Sequence, residues 1–324
     1  MRLAGLTYYP DTEPGFRRRR RGKGFSYIDT EGQLIRDQAV RQRLASLAVP
    51  PAYEDVWMCP LENGHLLATG RDVRGRKQYM YHPDWTALRA QSKFDDLPAF
   101  GRLLGRIRRR VHADLKEDAG ERDFALAAAV TLIDRTALRV GNPQYVEENN
   151  SYGALTLCNR HITLSGKDIA LRYRAKGGQK VKTTITDAKL ARILDKISDL
   201  PGANLLTWVD DAGDPQSLSS DALNAYLADA AGQDGITAKT FRTWAGTCAA
   251  FEVGAQGHAT IKEMATAAAE VLHNTPTIAR NSYIHPSVID LAGQDAPDVT
   301  PSEQHGLKVN EQHLLGFLQA ETAG

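Results

Sequence analysis

The sequence predicts an α+β protein: a small β-rich N-terminal domain, residues 1–88, and a larger, mostly α-helical domain, residues 89–324, into which a β-hairpin is inserted. Two observations carry this. Near Asp84 the spacing of apolar residues changes from about 2, the period of strands, to about 3.6, that of helices. Within the helical region an alternating run surrounds Gly177-Gly178, a dipeptide suited to a tight two-residue hairpin turn.

In chain order, Gly24 to Ile28 reads as a strand closed by the turn Asp29-Thr30-Glu31-Gly32. Arg36 to Leu47 has apolar residues at helical spacing and stops before Pro50-Pro51. Val56 to Cys59 and His65 to Thr69 read as strands around Glu62-Asn63-Gly64, and Gln78 to His82 as another. Helices follow over Phe94 to Lys116 and Glu121 to Leu138. Strands occupy Ile162 to Ile185. Helices resume over Ser220 to Ala231, Ala238 to Phe251, Thr260 to His273, Thr277 to Ile284 and Asn310 to Ala320.

Composition narrows the class. With 324 residues, 42% hydrophobic and 24% charged, the chain is of ordinary globular type. No stretch is apolar enough to span a bilayer, and Met1-Arg2-Leu3-Ala4-Gly5 opens no secretory signal, so a cytoplasmic protein away from membranes is expected. Cys59, Cys158 and Cys248 form no CxxC pair, which argues against a zinc site or a disulfide framework and for reduced, buried thiols. There is no GxxxxGK[ST] loop and no His/Asp/Glu cluster of metal-ligand spacing, so neither ATP nor a metal cofactor is expected.

The net charge of +1 hides an asymmetry: residues 1–90 carry 15 Lys/Arg against 10 Asp/Glu, a balance of +5, and the remainder 25 against 29, a balance of −4. The positive charge is clustered in Arg17 to Arg21 with Lys23, in Arg71, Arg74, Arg76 and Lys77, and in Arg106, Arg108, Arg109 and Arg110. A polyanionic partner explains such clusters; a solvated basic surface is the alternative for each.

Four segments carry candidate chemistry. Arg139 projects from the end of a helix whose C-cap is read as Gly141; alone, it reads first as an arginine that caps carbonyls or forms a salt bridge. Lys176 sits beside the Gly177-Gly178 tip, where an exposed lysine needs no function. Thr237 is a plausible N-cap, after which Lys239 and Arg242, three apart, share a helix face that could also be merely solvated. Thr275-Pro276 starts a new helix, and Tyr283 lies about two turns in, where packing is the ordinary role of a tyrosine.

Taken together, Arg139, Lys176, Lys239-x-x-Arg242, Asn274 and Tyr283 resemble the active site of the type IB DNA topoisomerases of the bacterial and poxvirus-like kind, over most of the chain. Leu138 to Asn142, with Tyr145, Asn149, Tyr152-Gly153 and Leu155, is similar to that family's first arginine motif, Tyr173-x-x-Lys176 to its lysine motif, and Thr237 to Thr247 to its second arginine motif. Gly70 to His82 resembles its DNA-gripping segment, in which residues matching Gln78, Tyr79 and Tyr81 are implied to enter the major groove. The chain departs from the pattern at His273, where glycine is frequent, at Asn274, where poxvirus relatives have histidine, and at Ala175, where Gly-Lys is usual.

The resemblance implies a fold like that of tyrosine recombinases and type IB topoisomerases. It implies a monomer clamped around double-stranded DNA in the nucleoid, with Arg71, Arg74, Arg76, Lys77, Gln78, Tyr79, Tyr81, Tyr145 and Lys239 toward DNA. It also implies transesterification: Tyr283 attacks a phosphodiester, a 3′-phosphotyrosyl bond forms, the strand swivels, and the 5′-hydroxyl attacks back without ATP. Arg139 and Arg242 suit the charge of the transition state, Asn274 can donate one neutral hydrogen bond, and Lys176 is a competent general acid for the leaving alkoxide. A tyrosine recombinase is the nearest rival, but such enzymes usually carry histidine where this chain has Lys239. A non-catalytic DNA-binding module with a decayed site is the other, and the complete residue set argues against it.

Overall fold

The computed structural model describes residues 5–22 and 24–323, without the side chains of 90–93, 322 and 323; Met1 to Ala4 and Lys23 lie outside the described residues. The chain forms two compact units, Met1–Ser92 and Lys93–Gly324.

The first unit is an antiparallel five-stranded sheet in the order β2-β1-β3-β4-β5, built from β1 (Phe16–Arg21), β2 (Gly24–Ile28), β3 (Glu54–Met58), β4 (Leu66–Arg71) and β5 (Lys77–Tyr81). Helix α1 (Gln38–Ser46), capped by the Asp37 carboxylate, covers it and contributes Leu44 to a core with Tyr27, Val56, Met58 and Ala68. The arginine run is itself a strand, which its composition disguised. Strand alternation turns Arg18 inward, where its guanidinium donates to the carbonyls of Val49, Pro50 and Tyr53 at 2.6, 2.9 and 2.8 Å. It also lies 4.2 Å from the centroid of the Phe25 ring. One arginine of the five therefore holds the domain together, while Arg17, Arg19, Arg20 and Arg21 are exposed.

Helix α2 (Pro83–Asp95) and helix α3 (Leu97–Asp114) replace the single helix expected from Phe94 onward. Pro98 accounts for the break, because its ring excludes the carbonyl four residues earlier from a continuous helix. Then come α4 (Arg122–Thr136), α5 (Pro143–Asn149), β6 (Ile162–Ser165), β7 (Asp168–Arg174), β8 (Lys180–Thr186), α6 (Ala188–Ser198), β9 (Thr207–Val209), β10 (Pro215–Ser217), α7 (Ser220–Ala231), α8 (Ala238–Gly254), α9 (Ile261–Leu272), α10 (Pro276–Tyr283), α11 (Pro286–Ile289) and α12 (Val309–Ala323). Strands β6, β7 and β8 form one antiparallel sheet.

Helix α8 runs through the second unit, packing against α3, α4, α9, α10, α11 and α12. Phe241, Trp244, Cys248 and Phe251 enter the core from it. Two members of the third arginine cluster, Arg108 and Arg110, tie this scaffold together, while Arg106 and Arg109 are exposed. Arg108 donates to both carboxylate oxygens of Asp134 on α4 and of Glu311 on α12, and Arg110 pairs with Asp114 and Asp229. All three cysteines are free; Cys59 and Cys248 are buried and Cys158 half-buried. Among the described residues no helix is long and apolar enough to cross a membrane, and no three His, Cys, Asp or Glu side chains are grouped to hold a metal ion.

Candidate active site

Arg139 is held by backbone, not by a helix end. Helix α4 stops at Thr136, and Ala137, with φ +50°, takes the left-handed cap position that the sequence assigned to Gly141. Arg139 and Val140 follow in an extended stretch whose carbonyls accept from the N–H groups of Ala154 and Leu155, both at 2.8 Å. Gly153 makes this approach possible: a Cβ there would lie 2.5 Å from the Arg139 carbonyl oxygen. The adjoining Tyr152 N–H donates to the Arg174 carbonyl at 2.8 Å, tying the same segment to β7.

Lys176 lies within the turn rather than beside it. Arg174 pairs with Lys180, Ala175 N–H donates to Gln179 at 2.7 Å, and Lys176-Gly177-Gly178 form a three-residue loop in place of the two-residue turn expected. Gly177 has φ +81° and ψ +10°, which position three of a type II turn requires and glycine supplies without strain. The exposed Lys176 ammonium stands 5.5 Å from the centroid of the Tyr145 ring on α5.

Arg242 contradicts the reading of α8 as a solvated basic face: it is 3% exposed, while Lys239, a turn earlier, faces solvent. Its guanidinium donates to the Ala137 carbonyl and, at 3.1 Å, to the Leu272 carbonyl, and lies 5.0 Å from the centroid of the Tyr283 ring. Both carbonyls sit at helix C-termini, where unpaired carbonyls favour a cation. Arg242 thus joins the ends of α4 and α9 to the side chain of the last residue of α10.

Helix α9 ends in His273, left-handed with φ +48°. Helix α10 begins with Thr275 as N-cap and Pro276 in its first turn. Burial, reinforced by the Arg242 charge, lowers the His273 pKa and keeps the ring neutral near neutral pH. The Asn274 amide is buried at both its nitrogen and its oxygen, without a partner. Among the described residues, the buried side-chain polar atoms that lack a partner are these two and Arg242 Nε. Leaving such groups unpaired costs about 1–3 kcal/mol each; they comprise two donors, Asn274 Nδ2 and Arg242 Nε, and one acceptor, Asn274 Oδ1.

The electrostatics converge on Tyr283. Burial pushes its phenol up, but the Arg242 guanidinium, with Arg139 and Lys239 behind it, outweighs burial and brings the pKa below its ordinary value. Tyr173 on β7, which the sequence placed in the Tyr173-x-x-Lys176 motif without giving it a role, lies in the same field. Burial dominates there and raises its phenol to about 12 against the pull of Arg242 and Arg139. Its signal was strand alternation, which sets Tyr173 on the same side of β7 as the buried Ile169 and Leu171. The structure therefore brings together Arg139, Arg242, Tyr283 and Lys239, with Asn274 adjoining at the end of α9. Lys176 stands on its own turn beside Tyr145.

In the first unit, β5 points Lys77, Tyr79 and Tyr81 to one face, with the two tyrosines 49% and 44% exposed and their ring centroids 6.1 Å apart. Gln78 lies on the other face, its amide donating to Asp72 at 3.0 Å. Carboxylates already attend the neighbouring cations: Asp55 for Arg71, Asp72 for Arg76, and Asp11 for Lys77 at 2.5 Å. The Arg74 backbone N–H also donates to Asp72.

Residues 82–276, more than half of the chain, match the family described as the catalytic core of eukaryotic DNA topoisomerase I. The chain belongs to this family. Residues 24–72 match the N-terminal domain of bacterial DNA topoisomerase IB. A DNA topoisomerase 1B of Acanthamoeba polyphaga mimivirus is 26% identical over 207 residues, which cover 63% of this chain and 61% of that relative's length. A DNA topoisomerase I of monkeypox virus and a DNA topoisomerase 1B of vaccinia virus (strain Copenhagen) are each 23% identical over 253 residues, 74% of this chain and 76% of theirs.

Proposed function

We propose that the protein relaxes supercoiled DNA as a type IB topoisomerase, and that its second unit has the fold shared by those enzymes and the tyrosine recombinases. The observation that carries this is the Tyr283 phenol beside the buried Arg242, its pKa depressed by Arg242, Arg139 and Lys239. A phenol so placed is a nucleophile in search of an electrophile that two guanidiniums would stabilise. A phosphodiester fits, since the attack adds negative charge to its non-bridging oxygens.

The phenolate oxygen attacks phosphorus in line, the P–O5′ bond breaks, and a 3′-phosphotyrosyl link forms. Arg139 and Arg242 hold the non-bridging oxygens, and the Asn274 nitrogen and Arg242 Nε gain the acceptor that the protein does not give them. Lys176, carried on its turn, delivers a proton to the departing 5′-oxygen. Rotation about the intact strand releases torsion, and the 5′-hydroxyl reverses the chemistry. The phosphotyrosyl bond conserves the energy of the phosphodiester, so neither ATP nor a metal is needed.

The first unit, residues 1–88 in its functional extent, binds duplex DNA through Tyr79, Tyr81, Lys77, Arg71, Arg74 and Arg76, with Gln78 reaching a base only once its amide leaves Asp72, while Tyr145 and Lys239 contact it from the second. The chain acts as a monomer clamped on the duplex, in the cytoplasm and on the nucleoid. Plasmid relaxation in EDTA without ATP tests this: the wild-type chain relaxes DNA, and Tyr283→Phe binds DNA but loses relaxation by at least about a thousandfold, ~4 kcal/mol of barrier. A Tyr283→Phe variant that still relaxes DNA refutes the assignment.

A further inference from the structure

Helix α10 is short and lies against α9 and α8. It is eight residues long, and Ala279 is its one buried residue among those described. A helix of that length is not stable alone, and its last carbonyls have no intrahelical partner. Its far end is fixed from α8. The Thr247 hydroxyl donates to the Tyr283 carbonyl at 3.1 Å and accepts from the His285 N–H at 3.2 Å. A hydroxyl can do both at once, and this one is fully buried, at 0% exposure.

The neighbouring Gly246 admits the contact. A Cβ there would stand 2.9 Å from the Tyr283 carbonyl oxygen and 3.2 Å from its Cβ. Arg242, Gly246 and Thr247 lie on one rigid helix, so the guanidinium that faces the phenol and the hydroxyl that grips the tyrosine's backbone keep a fixed separation.

We infer that Thr247 is a positioning residue for Tyr283, clasping the end of α10 on both sides of the tyrosine and so holding its ring over Arg242. The inference rests on Tyr283 being the nucleophile. Without the hydroxyl, the Tyr283 carbonyl and the His285 N–H lose this partner and the end of α10 is free to drift. A displacement of about 1 Å at a reacting centre can cost on the order of a hundredfold in rate.

The test compares the full-length wild type with Thr247→Val, which keeps shape but not the hydroxyl, Thr247→Ser, which keeps the hydroxyl, and Thr247→Ala, which replaces the valine variant should that one not fold. Three quantities are read: the titration of the Tyr283 phenol by NMR of ¹³Cζ-labelled tyrosine, assigned with Tyr283→Phe; single-turnover cleavage of a nicked duplex; and affinity for that duplex. The expected result for valine or alanine is a phenol midpoint shifted up toward the ordinary value, cleavage slower by about 10–100-fold and unchanged affinity, with serine restoring both. A folded valine or alanine variant with wild-type titration and cleavage overturns the clasp, as does a serine variant as impaired as valine. A wild type that forms no covalent adduct refutes Tyr283 as nucleophile instead, and the phenol titration still decides whether Thr247 sets its surroundings.

Discussion

At the scale of single residues, the decisive pair is Tyr283 and Arg242. A buried tyrosine is ordinarily harder to ionise, and here the sign is reversed because a buried guanidinium faces the ring. The folded pKa lies below the ordinary value near 10, so ionised Tyr283 adds stability in full only above about 10 and loses it as pH falls through the folded value. Near neutral pH the depressed pKa therefore serves the chemistry and not the fold. Single-turnover cleavage is expected to rise with pH and level off below about 10. The Tyr283 phenol of Arg242→Gln is expected to titrate above the wild-type value when followed by NMR; an unmoved midpoint would mean that Arg242 does not govern the phenol. The sequence named both residues but could not show that Arg242 is buried, because Lys239-x-x-Arg242 reads equally as a wet helix face. Burial there follows from α4 and α9 ending against α8, a tertiary fact.

At the scale of elements, periodic segments were legible and aperiodic ones were not. The helices of the second half were readable because their apolar residues recur at helical spacing and Thr260 or Thr275 marks a start. Helix α6 carries the same signal in Leu190, Ile193, Leu194 and Ile197, behind the N-cap Asp187, but the strands that precede it mask the change of period. Strand β1 was hidden because five consecutive arginines show no apolar alternation; pairing with β2 and β3 makes it a strand. The cap at Ala137 was illegible for another reason: a left-handed alanine is disfavoured locally, and the contacts of the following segment impose it.

The tie between α3, α4 and α12 also yields a prediction at this scale. Burial would raise the Glu311 pKa, yet Arg108 more than offsets it and holds the carboxyl below its usual value. Its stabilisation is present above the ordinary glutamate range and is lost as pH falls through the folded value. Glu311→Gln is expected to lower stability at neutral pH by about 2 kcal/mol, since it removes one of the two carboxylates that pair with the half-buried Arg108 guanidinium and leaves Asp134 as the other, and to narrow the gap to wild type in acid. Denaturant unfolding at several pH values checks this; an equal gap at every pH would contradict it.

At the scale of the whole molecule, clustered charge in the sequence does not mean free charge in the fold. Arg18, Arg108 and Arg110 are engaged within the protein, whereas exposed Arg17, Arg19, Arg20 and Arg21 and the Tyr79–Tyr81 face remain presented to solvent. A duplex-binding enzyme should lose affinity steeply with salt, by about a thousandfold between roughly 50 and 200 mM if six phosphates are contacted. Affinity independent of salt would remove the electrostatic part of the account. The central claim is the chemistry at Tyr283, and trapping the covalent intermediate tests it most directly. A nicked duplex that loses its 5′-hydroxyl strand on cleavage is incubated with the protein in EDTA, and the adduct is digested and sequenced by mass spectrometry. The account predicts a 3′-phosphate linked to Tyr283 in the wild type and no adduct in Tyr283→Phe; an adduct on another residue, an adduct at a 5′ end, or none at all would contradict it.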